Sequence, residues 1–205
     1  MRLPLHITYS KTPLVEAGID EAGRGCLAGP VFAAAVILPE NPSYDLLQYL
    51  NDSKKLTESR RKLLKNRIEE EAPAWAVAMA DNTEIDRMNI LNASYLAMHR
   101  AVEKLSIKPE LLLVDGNRFK PYDGIMHQCI VKGDGLFYSI AAASVLAKTW
   151  RDEFMQEKHH EFPQYHWNRN KGYPTIQHRE ALYRHGFSPL HRKSFNSGIQ
   201  LKMKF

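Results

Sequence analysis

The sequence predicts an α/β domain with a mixed β-sheet and helices on its faces, because of the kinds of segment it contains and the order in which they occur. Short runs of apolar and β-branched residues, typical of strands, alternate with longer amphipathic or alanine-rich runs, which are typical of helices. In order, they give two strands, a helix, a strand, a helix, two strands and a long helix, followed by irregular structure and more helix. This alternation favours a single sheet with helices packed on it.

The first half of the chain accounts for three of the predicted strands. They are assigned to residues 15–20, 31–38 and 75–80, and a surface helix is assigned to residues 56–71. Because Gly23 and Gly25 follow the first strand closely, we expect that strand to end at Glu21 and the chain to turn there. Thr83 and Asp86 have the spacing of a capping box and are expected to open the next helix.

The second half contains two continuous apolar runs, residues 111–114 and 126–131, which are expected to form fully buried strands. Residues 139–157 follow as a long helix, whose alanine-rich first half permits close packing on a sheet. Between residues 162 and 175, aromatic residues, asparagines and prolines break the pattern before short helical stretches continue to the end.

Composition limits the class of protein. A chain of 205 residues, 44% of them hydrophobic, can bury one substantial core. We expect a monomer in which a main domain at residues 1–158 and a C-terminal helical extension at residues 159–205 form one compact unit. No apolar run has the length of a membrane span and no signal peptide is recognisable, which predicts a cytoplasmic protein without a membrane partner. Cys26 and Cys129 lack the spacing of a zinc site.

The formal net charge of +5 is concentrated at the C-terminus. No acidic residue follows Glu180, whereas five basic residues do: Arg184, Arg192, Lys193, Lys202 and Lys204. Such an end can lie along a phosphate backbone, which favours a nucleic-acid partner. A solvated basic tail explains the same pattern.

Acidic residues follow three of the predicted strands. Asp20 and Glu21 follow the first strand, while Asp115 and Asp134 follow the two buried runs. Ligands of open α/β sheets bind beyond the carboxyl ends of strands, so these acids can converge on one site. Four carboxylates repel one another unless they hold a cation, and oxygen ligands without Cys or His indicate Mg²⁺ or Mn²⁺. Taken singly, each acid is better explained as a cap or turn residue.

The segment Gly23-Arg24-Gly25 has two interpretations. It is either a tight turn with a solvent-facing arginine, or a place where the backbone approaches a nucleic-acid strand closely. In the second case its N–H and C=O groups contact a 2′-hydroxyl, and Arg24 contacts a phosphate. The turn also bears on the acids, because Asp20 and Glu21 can reach one metal only if the strand does not continue through both.

Tyr173, between Gly172 and Pro174, is either a buried tyrosine or a ring presented on a rigid, exposed turn; the flanking residues favour the turn. Four histidines are interpreted as surface or supporting residues, since none forms a pair with zinc-site spacing beside a carboxylate: His160, His166, His185 and His191.

Six stretches, in order and nearly end to end, together resemble one known family, ribonuclease HII. They are AGIDEAGRGCLAGPVFAAAVIL (17–38), NDSKKL (51–56), LLLVDGN (111–117), KGDGLFYSIAAASVLAK (132–148), KGYPT (171–175) and HRKSF (191–195). The combination of DEAGRG with KGYPT is specific. The resemblance implies an RNase H-like fold, a mixed β-sheet flanked by helices with a C-terminal helical extension.

The resemblance also implies roles for particular residues. Metal-binding carboxylates fall on Asp20, Glu21, Asp115 and Asp134. Gly23, Arg24 and Gly25 match the motif that recognises a 2′-hydroxyl at an RNA-to-DNA junction. Tyr173 matches the tyrosine that stacks on the next deoxyribose. Contact with the nucleic-acid backbone, or support of the site, falls on Lys54, Lys148, Lys171 and Ser194.

The function implied is a ribonuclease H that uses Mg²⁺ or Mn²⁺ in two-metal hydrolysis of RNA–DNA hybrids and of ribonucleotide-containing duplex DNA. The alternatives are a related nuclease that acts on DNA alone, and a non-catalytic nucleic-acid-binding module. The last six residues, 200–205, resemble a peptide that binds a bacterial sliding clamp, although an ordinary amphipathic terminus explains them better.

Overall fold

The computed structural model describes residues 5–51 and 57–197 and contains a five-stranded mixed sheet. In chain order its strands are β1 (Glu16–Ala22), β2 (Val31–Ile37), β3 (Ala74–Ala80), β4 (Leu111–Asp115) and β5 (Met126–Ile130). They lie in the order β3-β2-β1-β4-β5, with β1 at the centre. β2 is antiparallel to β1 and β3, while β4 is parallel to β1 and β5. The predicted mixed sheet is confirmed.

The described part of the chain contains six helices and two 3₁₀ turns. The helices are α1 (Tyr44–Asn51), α2 (Glu58–Glu71), α3 (Asn82–Glu103), α4 (Tyr138–Glu161), α5 (Trp167–Asn170) and α6 (Ile176–His185), and the 3₁₀ turns are Gly133–Gly135 and Pro163–Tyr165. Within the described ranges, none of the helices combines the length and the apolar character that crossing a membrane requires.

The two faces of the sheet are covered by different helices. Ala17 and Ile19 of β1 belong to the apolar cluster with α3, whereas Ala34 of β2 belongs to the cluster with α4. A Cβ at Gly18 would lie 2.1 Å from the carbonyl carbon of Ser139, at the start of α4. The missing side chain therefore lets the backbone of α4 pack directly on the central strand.

Two elements differ from the sequence-based expectation. Helix α1 was not predicted, because its eight residues are too few to show a clear helical period; it packs through Leu46 and Leu50, both buried. Strand β5 was expected to be fully buried, but its residues are exposed or half-buried, and Met126 is 61% exposed. The reason is that β5 lies at the edge of the sheet, beside β4 only.

The start of α3 also differs from the prediction. Its N-cap is Asp81, whose carboxylate accepts from the Glu84 N–H at 2.8 Å, while the Glu84 carboxylate accepts from the Asp81 N–H at 3.0 Å. The capping box expected at Thr83 and Asp86 was wrong, because Asp81 makes the same motif two residues earlier. The Thr83 hydroxyl donates to Asp81 instead.

Candidate active site

The first two acids lie near the carboxyl end of the central strand. β1 continues through both, because Asp20 pairs with Ala34 and Glu21 pairs with Ala33 of β2. The expectation that the strand ends at Glu21 was wrong, and the two side chains point to opposite faces of the sheet. The chain turns only at Gly23, where φ is +97°.

Asp20 and Asp115 lie side by side on neighbouring parallel strands. Ile19 of β1 is level with Val114 of β4, and on each strand the next residue is one of the two acids. Burial raises the pKa of the Asp20 carboxyl well above its usual range, and the negative charges of Glu21 and Asp115 raise this pKa further. The carboxylates thus repel one another in surroundings that already disfavour charge.

Hydrogen bonds hold the two acids of β1 in place. The Ser144 side chain of α4 bonds to Asp20, and the Glu21 N–H donates to Asp20 Oδ1 at 2.7 Å. Glu21 Oε1 lies 3.1 Å from Nη1 of Arg24. Burial raises the pKa of the Glu21 carboxyl, the Arg24 charge opposes this, and the Asp115 charge adds to it.

Asp134 is half-buried in the 3₁₀ turn that precedes α4. The N–H of its neighbour Gly133 donates to Oδ1 of Asp115 at 2.7 Å. The backbone that carries Asp134 therefore lies beside the Asp115 carboxylate.

The four acids, here called the acid centre, lie near one end of the sheet without forming a ready-made metal site. Among residues 5–51 and 57–197, no group of three or more Asp, Glu, His or Cys side chains could hold a metal ion. Glu21 is directed to the opposite face from Asp20 and is paired with Arg24. Asp20 and Asp115 are the part that fits a divalent cation, because a bound ion would remove their mutual repulsion.

The two glycines that flank Arg24 have different surroundings. A Cβ at Gly23 would lie 2.0 Å from Nε of Arg151, so a side chain there would collide with a buried residue of α4. A Cβ at Gly25 would meet no atom within 4 Å. The Arg24 side chain is half exposed. The backbone at Gly25 is thus open to close approach from outside.

Three segments pack together beside the acid centre. The Leu27 N–H donates to the Gly172 carbonyl, the Gly29 N–H to the Leu190 carbonyl and the Arg192 N–H to the Leu27 carbonyl, each at 2.8 Å. A Cβ at Gly172 would lie 2.5 Å from the Ala28 carbonyl oxygen, so this close packing requires glycine. Residues 23–30, 171–173 and 190–194 are here called the loop platform.

Tyr173 presents its ring at the surface of the loop platform. The residue is 39% exposed, and the cationic groups of Lys148 and Arg151 each lie 5.8 Å from the ring centroid. Lys148 Nζ also donates to the Asp152 carboxylate at 2.6 Å. Of the two interpretations of Tyr173, the structure therefore favours the exposed ring.

The other residues singled out by the resemblance have partners within the protein or lie outside the described residues. Lys171 is 7% exposed and its ammonium group donates to the Asn168 carbonyl at 2.6 Å. The Ser194 hydroxyl donates to the Asp86 carboxylate at 2.6 Å. Lys54 lies outside the described residues.

Two arginines that the sequence analysis did not assign to the site are buried beneath the loop platform and donate to its carbonyl groups. Arg151 and Arg192 are 0% and 1% exposed. Arg192 was counted among the basic residues of a solvated or phosphate-bound C-terminal tail, and its burial corrects that interpretation. The helical period held a signal for Arg151, since Ser144, Lys148 and Arg151 share one face of α4.

A buried pair of histidines lies behind the platform. His191, interpreted as a surface or supporting residue, and His178 are both fully buried, with their Nε2 atoms 3.1 Å apart. The Ser188 N–H donates to His191 Nδ1, so a neutral His191 carries its proton on Nε2 and donates it to His178. His178 Nδ1 then donates to the Tyr173 carbonyl at 2.9 Å. Burial lowers the pKa of both rings, that of His191 to about 3.

The mixed sheet and the acids on its central strands define a class, the α/β domains with the RNase H-like fold. The family model described as Ribonuclease HII matches residues 17–197. A Ribonuclease HII of Phocaeicola vulgatus is 58% identical over 190 residues, which cover 93% of this chain and 93% of that protein. The chain therefore belongs to the ribonuclease HII family, whose enzymes are nucleases that act on RNA–DNA hybrids.

Solved structures agree with this assignment. The ribonuclease H2 from Pyrococcus horikoshii OT3 has a TM-score of 0.74 at 25% sequence identity, with 89% of this chain and 94% of that chain covered. The RNase HII of Archaeoglobus fulgidus, solved in a complex with PCNA, has a TM-score of 0.75 at 25% identity, with 93% and 100% covered.

Proposed function

We propose that this ribonuclease H, besides hydrolysing the RNA strand of hybrids, cuts on the 5′ side of single ribonucleotides embedded in duplex DNA. The products would carry 5′-phosphate and 3′-hydroxyl ends. The observation that carries the proposal is the acid centre, where Asp20 and Asp115 lie side by side, next to a loop whose backbone is open at Gly25. Carboxylates suit phosphodiester hydrolysis, and open backbone groups suit contact with a sugar hydroxyl.

The proposed cofactors are two Mg²⁺ or Mn²⁺ ions in the acid centre. Asp20 and Asp115 are proposed as shared ligands, while Glu21 and Asp134 each complete one coordination sphere. When bound, such ions activate a water molecule and stabilise the leaving 3′-oxygen. The support is chemical: the donors are hard carboxylate oxygens, and their mutual repulsion is relieved by a divalent cation.

The chain's own residues orient these acids. Ser144 bonds to Asp20, the Gly133 N–H holds one oxygen of Asp115, and Arg24 holds Glu21. On substrate binding, a phosphate is proposed to take Arg24 away from Glu21, so that this carboxylate can turn around the end of β1 towards the face of Asp20 and reach a metal. Such an exchange links binding of the nucleic acid to completion of the acid centre.

The loop platform is proposed to bind the substrate. The backbone of Gly23 and Gly25 would contact the 2′-hydroxyl, Arg24 a phosphate, and the Tyr173 ring the next deoxyribose. A second set is proposed to contact the nucleic-acid backbone or to support the site: Lys54, Lys148, Lys171 and Ser194. For Lys171 and Ser194, the hydrogen bonds inside the protein favour support.

The remaining proposals concern partners and compartment. Residues 200–205, which lie outside the described residues, are proposed to bind a sliding clamp; the support is their sequence pattern and the A. fulgidus RNase HII solved with PCNA. Deleting residues 199–205 is expected to remove clamp binding, and an intact chain that binds no clamp rejects the idea. We also propose a cytoplasmic monomer, with residues 159–205 as an extension of the main domain.

A substrate panel tests the proposed function. Plain duplex DNA, duplex DNA with one ribonucleotide and a full RNA–DNA hybrid are each incubated with Mg²⁺, Mn²⁺ or a chelator. We expect metal-dependent cutting of the second and third substrates only, with a cut 5′ to the ribonucleotide and a 3′-end that a polymerase can extend. Cutting of plain DNA at a similar rate, cutting with chelator, or salt-sensitive binding without cutting would each reject the proposal.

A further inference from the structure

We propose that Arg151 and Arg192 are positioning residues that set the shape of the loop platform and thereby its selectivity for a single ribonucleotide. This inference rests on the proposed function, in which the backbone of Gly23 and Gly25 contacts the 2′-hydroxyl. Neither arginine is an assigned substrate residue, and both are buried beneath the loop.

Arg151 connects helix α4 to two segments of the platform. Its Nε donates to the Pro30 carbonyl at 3.1 Å, Nη1 to the Lys171 carbonyl at 2.8 Å and Nη2 to the Ala28 carbonyl at 3.1 Å. The same guanidinium fills the space that a side chain at Gly23 would need. The Arg151 side chain therefore fixes the positions of both segments relative to helix α4.

Arg192 makes the matching connection from the third segment. Its Nε donates to the Gly29 carbonyl and its Nη1 to the Arg24 carbonyl, both at 2.9 Å. The Arg24 carbonyl belongs to the peptide between the two residues proposed to contact the 2′-hydroxyl. A shift of this guanidinium would move that peptide directly.

Stability alone does not account for Arg192. Its Nη2 is buried and has no hydrogen-bond partner among the described residues, which is unfavourable for folding. Burial and the nearby Arg151 charge lower the pKa of Arg192 to about 10. In the part of the chain that the structure describes, no carboxylate lies within 4.0 Å of either guanidinium. Two buried cations held by backbone carbonyl groups and by the rings of Tyr173 and Phe195 are a costly way to stabilise a fold, but a rigid way to place a backbone.

The platform's shape matters most when only one 2′-hydroxyl is present. A long hybrid offers a 2′-hydroxyl at every position of the RNA strand, so a slightly displaced loop still finds a usable contact. A single embedded ribonucleotide offers only one 2′-hydroxyl, and a displaced loop can no longer contact it. The selectivity ratio, defined as kcat/KM on duplex DNA with one ribonucleotide divided by kcat/KM on the hybrid, therefore reports loop position.

The test compares Arg151→Lys and Arg192→Lys with the wild type and with Arg100→Lys. Lysine keeps the charge but cannot donate to several carbonyls in a fixed plane. Arg100 is the matched control, because it also donates to a backbone carbonyl, that of Met79 at 2.9 Å, and to Glu84, but outside the platform. Each variant is first shown to be folded by its thermal unfolding.

We expect the selectivity ratio to fall about tenfold in Arg151→Lys and Arg192→Lys, the loss that corresponds to one hydrogen bond to a charged group. The fall should appear as a higher KM for the single-ribonucleotide substrate, while Arg100→Lys keeps the wild-type ratio. If Arg151→Lys does not fold, the inference is tested by Arg192→Lys alone, because this variant loses fewer hydrogen bonds to carbonyl groups.

Folded variants with an unchanged ratio would overturn the inference, as would a ratio that falls equally in Arg100→Lys. Failure of both variants to fold would also overturn it, since the arginines would then be general structural residues. A wild type that leaves the single-ribonucleotide substrate intact would instead remove the proposed function itself.

Discussion

The acid centre and the loop platform lie next to each other along helix α4, but different forces determine their structures. In the acid centre, burial raises the pKa of Asp20, and the charges of Glu21 and Asp115 raise it further. In the loop platform, buried Arg151 and Arg192 donate to backbone carbonyls of three segments. The first region contains an unfavourable interaction that a ligand can relieve, whereas the second is already ordered by its own hydrogen bonds.

The contrast shows that the two regions are ordered by different interactions. A centre that binds cations gains affinity when its ligands repel one another in the free protein. A surface that distinguishes one sugar hydroxyl needs backbone groups that do not move. Three predictions test this difference between the two regions, and they follow from the largest expected effect to the smallest.

The largest effect is expected from Asp20→Asn. Cleavage of both ribonucleotide-containing substrates should fall at least about 10³-fold, because a proposed metal ligand is lost. In chelator, the free energy of unfolding should stay the same or rise by about 1 kcal/mol, since one repelling charge is gone. Steady-state kinetics and urea unfolding measure the two quantities. Asp123→Asn, at an exposed loop residue, is the control; near-normal cleavage by Asp20→Asn refutes the assignment.

The next effect is expected from Gly18→Ala, which tests the support beneath the acid centre. The new Cβ would lie 2.1 Å from backbone of α4, so the helix must move away from β1. We expect the free energy of unfolding to fall by about 3 kcal/mol. Cleavage should fall as well, because Ser144 moves with the helix away from Asp20.

Gly25→Ala is the matched stability control for Gly18→Ala, since a Cβ there meets no atom within 4 Å. Its free energy of unfolding should change by less than about 1 kcal/mol. Equal stabilities of the two variants in urea unfolding would contradict the close packing described for Gly18.

The smallest effect concerns pH and the histidines behind the platform. The folded protein lowers the pKa of His191 to about 3, below the value of about 6.5 for an unfolded chain. Its contribution to stability is therefore complete above pH 6.5 and is lost as the pH falls towards 3. Linkage gives a loss of about 2 kcal/mol between pH 7 and pH 5.

His191→Asn isolates this contribution, because asparagine can still accept from the Ser188 N–H but does not titrate. Urea unfolding in chelator should show the stability difference between wild type and variant shrinking by about 2 kcal/mol from pH 7 to pH 5. His160→Asn, at an exposed histidine of α4, is the control for loss of an imidazole. A difference that does not change with pH would show that folding leaves the pKa of His191 at its unfolded value.

Much of the fold follows from patterns that are local in sequence. Short apolar runs predicted β2, β3 and β4 to within about one residue of their observed bounds. The end of β1 was misplaced, because glycines after a strand indicate a turn but not how far pairing with β2 extends. Burial of β5 could not be inferred from its apolar run, since strand order depends on contacts that are distant in the chain.

The candidate site divides in the same way. The four acids were proposed because, in the sequence, each lies at or beyond the end of an apolar run. The sequence held no such signal for Arg192 and His178, and for Arg151 it showed the face of α4 but not the carbonyl partners, because each residue acts through carbonyls or rings of other segments. A basic residue in a helix or near a terminus is usually at the surface, and only the tertiary contacts show otherwise.

Helix α4 also fixes the spacing between the acid centre and the loop platform. Ser144 meets the acid centre and Arg151 meets the loop platform, about two turns or roughly 10 Å further along the same face. An insertion of one residue between them would rotate Arg151 by about 100° and swing its guanidinium out of the platform. Under the proposed function, the seven-residue interval between Ser144 and Arg151 would therefore set the distance between the recognised sugar and the broken bond.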